Sequence, residues 1–253
     1  MTRPSWVADK VQKQVGDYKD MYFDGSSGGA WHNKRGSLDN LPWEWRYDAG
    51  YEKGLEMAGE IIWGLQRNED GKIIETVKFV TNSMGAAYQR GFSQALKDYE
   101  KSYNEQIDEY NAKNIGPLKP KIEGFEIEFT VDIAAFQGKT IGPDYNSTNN
   151  YFMRSKHDVL AGYKGADITD EGFFNNATEI NLYTEGKRKG QIKKDDEFGW
   201  QEKENPSGYA DKYYYRYRHH ASAFESGIET IPESEGNDTR VKFNKKPDYE
   251  DGY

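Results

Sequence analysis

The residues best suited to chemistry meet at one junction. Positions 77 to 87 read Val-Lys-Phe-Val-Thr-Asn-Ser-Met-Gly-Ala-Ala, an apolar run, then Ser83, then small residues. In a nucleophile elbow a serine sits on a strained strand-to-helix turn that lifts its hydroxyl clear, and small neighbours let the backbone bend without a Cβ clash. Gly85 supplies the small residue after Ser83, whereas Thr81 stands before it where glycine is common. A serine at a helix start can also be a plain N-cap. The apolar strand ahead and the long helical pattern behind favour the nucleophile.

A serine hydroxyl needs a base, and the base needs an acid to hold its tautomer. The chain has four histidines, His32, His157, His219 and His220, and the last two follow a tyrosine-rich run, where a late base belongs. Two acids compete. Asp132 lies near the end of the strand after the nucleophile helix, and Asp158 lies in the loop Ser155 to Gly162. Either could simply cap a turn or a helix, and spacing does not choose between them. Backbone donors for an oxyanion are expected from the N–H of Met84 and from the loop Gly25 to Gly28, which includes Ser26.

The elements that must position these groups follow from periodicity. Trp43, Tyr47, Tyr51, Leu55, Ala58, Ile62 and Leu65 draw one apolar stripe along a helix, and Tyr88, Phe92, Leu96, Tyr99, Tyr103, Ile107 and Tyr110 draw a second that ends at Gly116-Pro117. Met21 to Phe23 reads as a short strand entering a turn, and Ile73 to Val80 as a buried strand. From Phe125 to Ile133 apolar residues alternate with polar ones, which predicts one buried face. The order strand, helix, strand, helix, strand predicts an α/β fold with a mainly parallel sheet flanked by helices. Residues 213 to 218, Tyr-Tyr-Tyr-Arg-Tyr-Arg, read as a late strand with its tyrosines on one face. His219 shares their parity and His220 that of the arginines, so the two cannot both face Ser83 from a strand.

Composition removes other classes. The 253 residues carry 34 basic and 43 acidic side chains, a net charge of −9, and no cysteine. A nucleic-acid binder held by phosphate neutralisation is disfavoured, and the interleaved Tyr213 to Arg218 run sits in acidic surroundings. Disulfide scaffolds, thiolate metal sites and cysteine nucleophiles are excluded. No His-Glu-x-x-His pattern occurs, and serine chemistry needs no metal or organic cofactor. Met1 to Lys19 has no apolar signal core and no run is long enough to span a bilayer, so a soluble chain without a transmembrane segment is expected.

The run Thr81-Asn82-Ser83-Met84-Gly85-Ala86-Ala87 resembles the Thr-His-Ser-Met-Gly-Ala-Ala elbow of lipase-like α/β-hydrolase modules at the C-termini of Rhs-repeat, polymorphic-toxin-type proteins of Bacteroidetes. It is more distantly similar to the Gly-His-Ser-Leu-Gly-Gly elbow of class 3 lipases. Those lipases hold their acid in an Asp-x-Val loop, loosely matched by His157-Asp158-Val159, and the Rhs-associated modules carry a late His-x-x-x-x-Phe element, matched by His219 and Phe224. The resemblance covers roughly residues 21 to 228 and departs at Thr81 and Asn82. It implies an α/β-hydrolase fold and a serine ester hydrolase acting on lipid or another acyl ester through Ser83, Asp158 and His219, with Asp132 and His220 as the alternative acid and base. It also implies an effector or toxin module exported within a larger Rhs-type secreted or cell-surface protein and met by an immunity or carrier protein. The expected organisation is a polar lead-in over residues 1 to 20, a catalytic domain over 21 to 228 and a polar tail over 229 to 253. The rival expectation is a non-catalytic, hydrolase-like binding module.

Overall fold

The computed structural model describes residues 5–17, 19–25, 43–113, 116–135, 141–155 and 178–182. In chain order these form α1 (Ser5–Val15), α2 (Trp43–Gly64), β1 (Val77–Asn82), α3 (Gly85–Ala112), β2 (Ile127–Ile133), β3 (Ser147–Ser155) and β4 (Thr178–Leu182). The strands make one four-stranded sheet in the order β1-β2-β3-β4. All three pairings are parallel. The fold is therefore α/β with a parallel sheet and helices packed on it, as the alternation of elements predicts. Among the described residues no helix is long and apolar enough to cross a membrane.

The expected polar lead-in contains a helix. Val11 and Val15 lie one turn apart on α1 and are both buried, and Gly16, at φ +74°, ends the helix by donating its N–H to the Gln12 carbonyl at 2.9 Å. The segment that follows is tied to the sheet by Lys78 Nζ to Asp17 Oδ2 at 2.6 Å and by Lys19 Nζ to Glu75 Oε1 at 3.5 Å. Two apolar residues at helical spacing suffice to dock so short a helix, a signal easily lost in a polar stretch.

Met21 to Phe23 is not a strand; Phe23 instead lies on Phe92 with ring centroids 4.7 Å apart. The strand expected from Ile73 begins later, at Val77, and continues through Thr81 and Asn82. Its first residues belong to a tight return: Ile73 bridges antiparallel to Arg67, and Gly71 at φ +82° turns the chain between them.

The two long helices pack parallel to each other, and closely. A Cβ on Gly50 would lie 1.9 Å from the Tyr88 carbonyl oxygen, one on Gly54 2.8 Å from that of Phe92, and one on Gly91 1.9 Å from that of Tyr47. The buried face of α2 is accordingly Arg46, Gly50, Gly54, Ala58 and Ile62. This corrects the expected stripe: Leu55 is 44% exposed, and the stripe coincides with the buried face only from Ala58 onward. Backbones that touch need glycine at the contact, so the larger side chains are displaced to its flanks.

β2 also departs from simple alternation. The register against β1 slips between Val77 and Lys78, which face Ile127 and Phe129, so Glu128 is an extra, bulged residue. Ile127 joins the core of α2 and α3 with Phe92 and Leu96. Beyond the bulge Thr130 and Asp132 face α3, as their hydrogen bonds to Gln89 and Arg90 show. Alternation then puts Phe129, Val131 and Ile133 on the opposite face. All seven residues of β2 are buried, where one buried face was expected, because β2 is flanked by strands and covered on both sides.

Candidate active site at the end of β1

β1 ends at Asn82 and α3 starts at Gly85, so Ser83 and Met84 make the whole turn. Ser83 has φ +53°, in the left-handed region that residues with a Cβ seldom occupy. Holding a serine there costs about 1–3 kcal/mol, repaid by surrounding contacts. Ser83 N–H donates to the Ile133 carbonyl at 2.9 Å, Asn82 Nδ2 donates to the same oxygen at 3.1 Å, and Ala86 N–H reaches back to the Ser83 carbonyl at 3.4 Å. Asn82 thus helps pin the turn to the end of β2. The neighbouring strand end is bent in the same sense: Ala134, at φ +49°, donates its N–H to Met153 at 2.9 Å.

Met84, not Ser83, occupies the N-cap of α3, and its side chain makes no capping hydrogen bond. The positive end of a 28-residue helix therefore points at the serine. Gly25 lies directly against this start, for a Cβ on it would come within 2.4 Å of Gly85 Cα. Glycine at both positions lets two backbones meet beside Ser83. Burial, together with the carboxylates of Asp24 and Glu56, pushes the hydroxyl of nearby Tyr88 above its ordinary pKa.

Beneath the turn lies a buried polar brace. Asp132, opposite Thr81 in the β1–β2 register, accepts a 2.6 Å hydrogen bond from Thr81 Oγ1 and forms an ion pair with Arg90 of α3. Arg90 also donates to Gln89 Oε1 and, through Nε at 3.2 Å and Nη2 at 3.0 Å, to the Gly142 carbonyl. Asp144, 1% exposed, accepts from Gln89 Nε2 at 2.6 Å, Ser93 Oγ at 3.0 Å, Thr130 Oγ1 at 3.2 Å and Asn146 N–H at 3.0 Å. These bonds join β1, β2, α3 and the loop before β3 into one unit under Ser83. Every acceptor in it is met by a donor, which is what makes so polar an interior tolerable.

Arg46 adds a second buried cation on the α2 face that meets α3. It is 1% exposed, its Nε and Nη2 have no hydrogen-bond partner among the described residues, and burial pushes its pKa down. One helical turn C-terminal to it, Gly50 abuts Tyr88, which sets Arg46 level with the first turn of α3.

Of the residues singled out from sequence, the structure brings Ser83, Met84 and Gly25 together and sets Asp132 behind them with its carboxylate engaged by Arg90 and Thr81. Asp158, His219, His220, Ser26 and the run Tyr213 to Arg218 lie outside the described residues. The brace residues Gln89, Arg90, Ser93 and Asp144 and the buried Arg46 were not singled out; the sequence signal for them is a set of polar residues beside an otherwise apolar helical stripe. Among the described residues no group of three or more histidine, aspartate or glutamate side chains could hold a metal ion. No protein-family model, curated protein or solved structure matches this chain.

Proposed function

We propose that the chain is an α/β-hydrolase-like serine ester hydrolase in which Ser83 attacks an acyl carbonyl and the resulting acyl-enzyme is hydrolysed by water. The observation that carries the reading is the left-handed backbone of Ser83 at a turn between a parallel strand and a long helix. Strain of this kind collects where a side chain must be presented rather than packed. Support also comes from Gly25, whose backbone abuts the helix start where an oxyanion would form between Met84 N–H and the loop beginning at Gly25. In an open parallel sheet, sites form at the carboxyl ends of the strands. Ser83 follows β1 directly, and Asp158 is three residues beyond the end of β3 in the sequence.

In this mechanism His219 takes the Ser83 proton as the C–O bond forms and returns it to the leaving alcohol. Asp158 holds the imidazole in the required tautomer and stabilises its cation. The substrate class is an acyl ester, lipid included, and no cofactor takes part. The test is labelling with a fluorophosphonate followed by peptide mass analysis, paired with p-nitrophenyl ester turnover. A single adduct on Ser83 and loss of turnover in Ser83→Ala are expected, since removing a nucleophile costs many orders of magnitude in rate. Turnover unchanged in folded Ser83→Ala would refute the assignment. A folded wild-type chain that neither labels nor turns over ester would favour the non-catalytic module.

A further inference from the structure

We propose that the cleft between the middle of α2 and the middle of α3 is a binding site for an organic cation of the quaternary or methylated ammonium class. The cleft has a volume of about 420 Å³ and is lined by Tyr51 and Leu55 of α2 and by Asp98, Tyr99 and Tyr103 of α3. That volume suits a small ligand, since such sites span roughly 300–1,000 Å³. It lies about 20 Å along α3 from Ser83, at 1.5 Å per residue, so it is no subsite of the elbow.

Two features select the ligand's charge. Three lining residues are tyrosines: Tyr99 and Tyr103 stack on each other at 6.3 Å and 20°, and behind the lining Trp63 meets Tyr103 edge-on at 5.3 Å and Tyr47 stacks on Tyr51 at 6.5 Å. Aromatic faces attract cations through their quadrupole, most strongly cations that shed water easily. At the wall stands Asp98, whose Oδ2 accepts from the Tyr51 hydroxyl at 2.8 Å and whose Oδ1 accepts from Gln94 Nε2 at 2.9 Å. Both donors are neutral. They orient the carboxylate without cancelling its charge, and among the described residues no lysine, arginine or histidine pairs with it. The negative field reaches the neighbouring phenols: the hydrogen bond to Asp98 is the main cause that pushes the Tyr51 hydroxyl up, and the charge of Asp98 adds to burial in raising Tyr47. A neutral apolar ligand would leave that charge without a partner, and an anion would be repelled. A hydrated metal ion would gain little from the tyrosine faces. The rim is open enough for entry, with Leu55 44% exposed.

The test uses the full chain labelled with carbon-13 at tyrosine rings, titrated at constant ionic strength with choline and, separately, with 3,3-dimethylbutan-1-ol, its neutral isostere. Saturable shifts of the Tyr99 and Tyr103 rings are expected with choline, with the isostere much weaker. Asp98→Asn should weaken choline about tenfold and leave the isostere unchanged. Tyr103→Phe keeps the ring face and should retain binding, whereas Tyr103→Leu should lose it. Equal affinity for choline and the isostere, or an Asp98→Asn variant that binds choline as tightly as wild type, would overturn the proposal. So would choline shifts that avoid Tyr99 and Tyr103. Ester turnover is not a readout here, so the site stands or falls apart from the role of Ser83.

Discussion

Asp132→Asn is the sharpest perturbation of the unit that supports Ser83. Asparagine keeps the shape of the side chain and removes its charge. Asp132 is 4% exposed and Arg90 7%, so the guanidinium would remain in a nearly dry interior with only neutral oxygens, those of Gly142, Gln89 and the new amide, to hold it. Breaking one side of a buried pair in this way costs about 3–5 kcal/mol, and weakening the Thr81 hydrogen bond adds about 1 kcal/mol. With a urea m-value of about 2 kcal/mol per molar, the unfolding midpoint should fall by about 2–3 M. The assay is urea unfolding followed by circular dichroism for wild type, Asp132→Asn, Arg90→Met and the double variant. Since replacing both partners of a buried pair is often neutral, the double variant should be no less stable than either single one. A loss below about 1 kcal/mol in Asp132→Asn, or single losses that simply add in the double variant, would refute the brace.

Gly91→Ala should destabilise by about 2 kcal/mol or more, because the new methyl falls 1.9 Å from the Tyr47 carbonyl oxygen and the two helices must part. Gly64→Ala, with nothing within 4 Å, should be neutral or stabilising by up to about 1 kcal/mol, as helix propensity alone predicts; in thermal melts the Gly91→Ala midpoint must fall and the Gly64→Ala midpoint must not. The Tyr51 hydroxyl, raised by its bond to Asp98, contributes stability that is full below the ordinary tyrosine pKa of about 10 and is lost as pH rises through the folded value. Denaturation between about pH 9 and 12 should therefore show a shallower alkaline loss in Tyr51→Phe than in wild type. For the base, His219→Ala should abolish ester turnover and its pH–rate limb near the imidazole range, while His220→Ala keeps both. Asp158→Asn should lower kcat by about 10⁴ through the wrong tautomer. Retention of the limb in His219→Ala would move the base to His220.

The local pattern of the chain carries a good deal of this structure. Period-four apolar residues mark α2 and α3, alternating ones mark β2, and their succession implies parallel pairing, because sequential strands joined by a helix return in the same direction. The junction at Ser83 is legible for the same reason: an apolar strand that gives way to serine and then to small residues has few ways to turn. What the sequence does not carry is the outcome of contacts between residues far apart along it. Glycine adds nothing to a hydrophobic stripe, yet where two helices touch backbone to backbone it is the residue that must be there, so Gly50, Gly54 and Gly91 choose the buried face over Leu55. The bulge at Glu128 is a property of the β1–β2 register, and it alone decides that Asp132 points at α3. Once there, Asp132 meets Arg90 and Thr81 across 42 and 51 residues of chain. A charge that reads as solvated in one dimension becomes part of the interior because tertiary packing supplies its partner at the same moment that it removes its water.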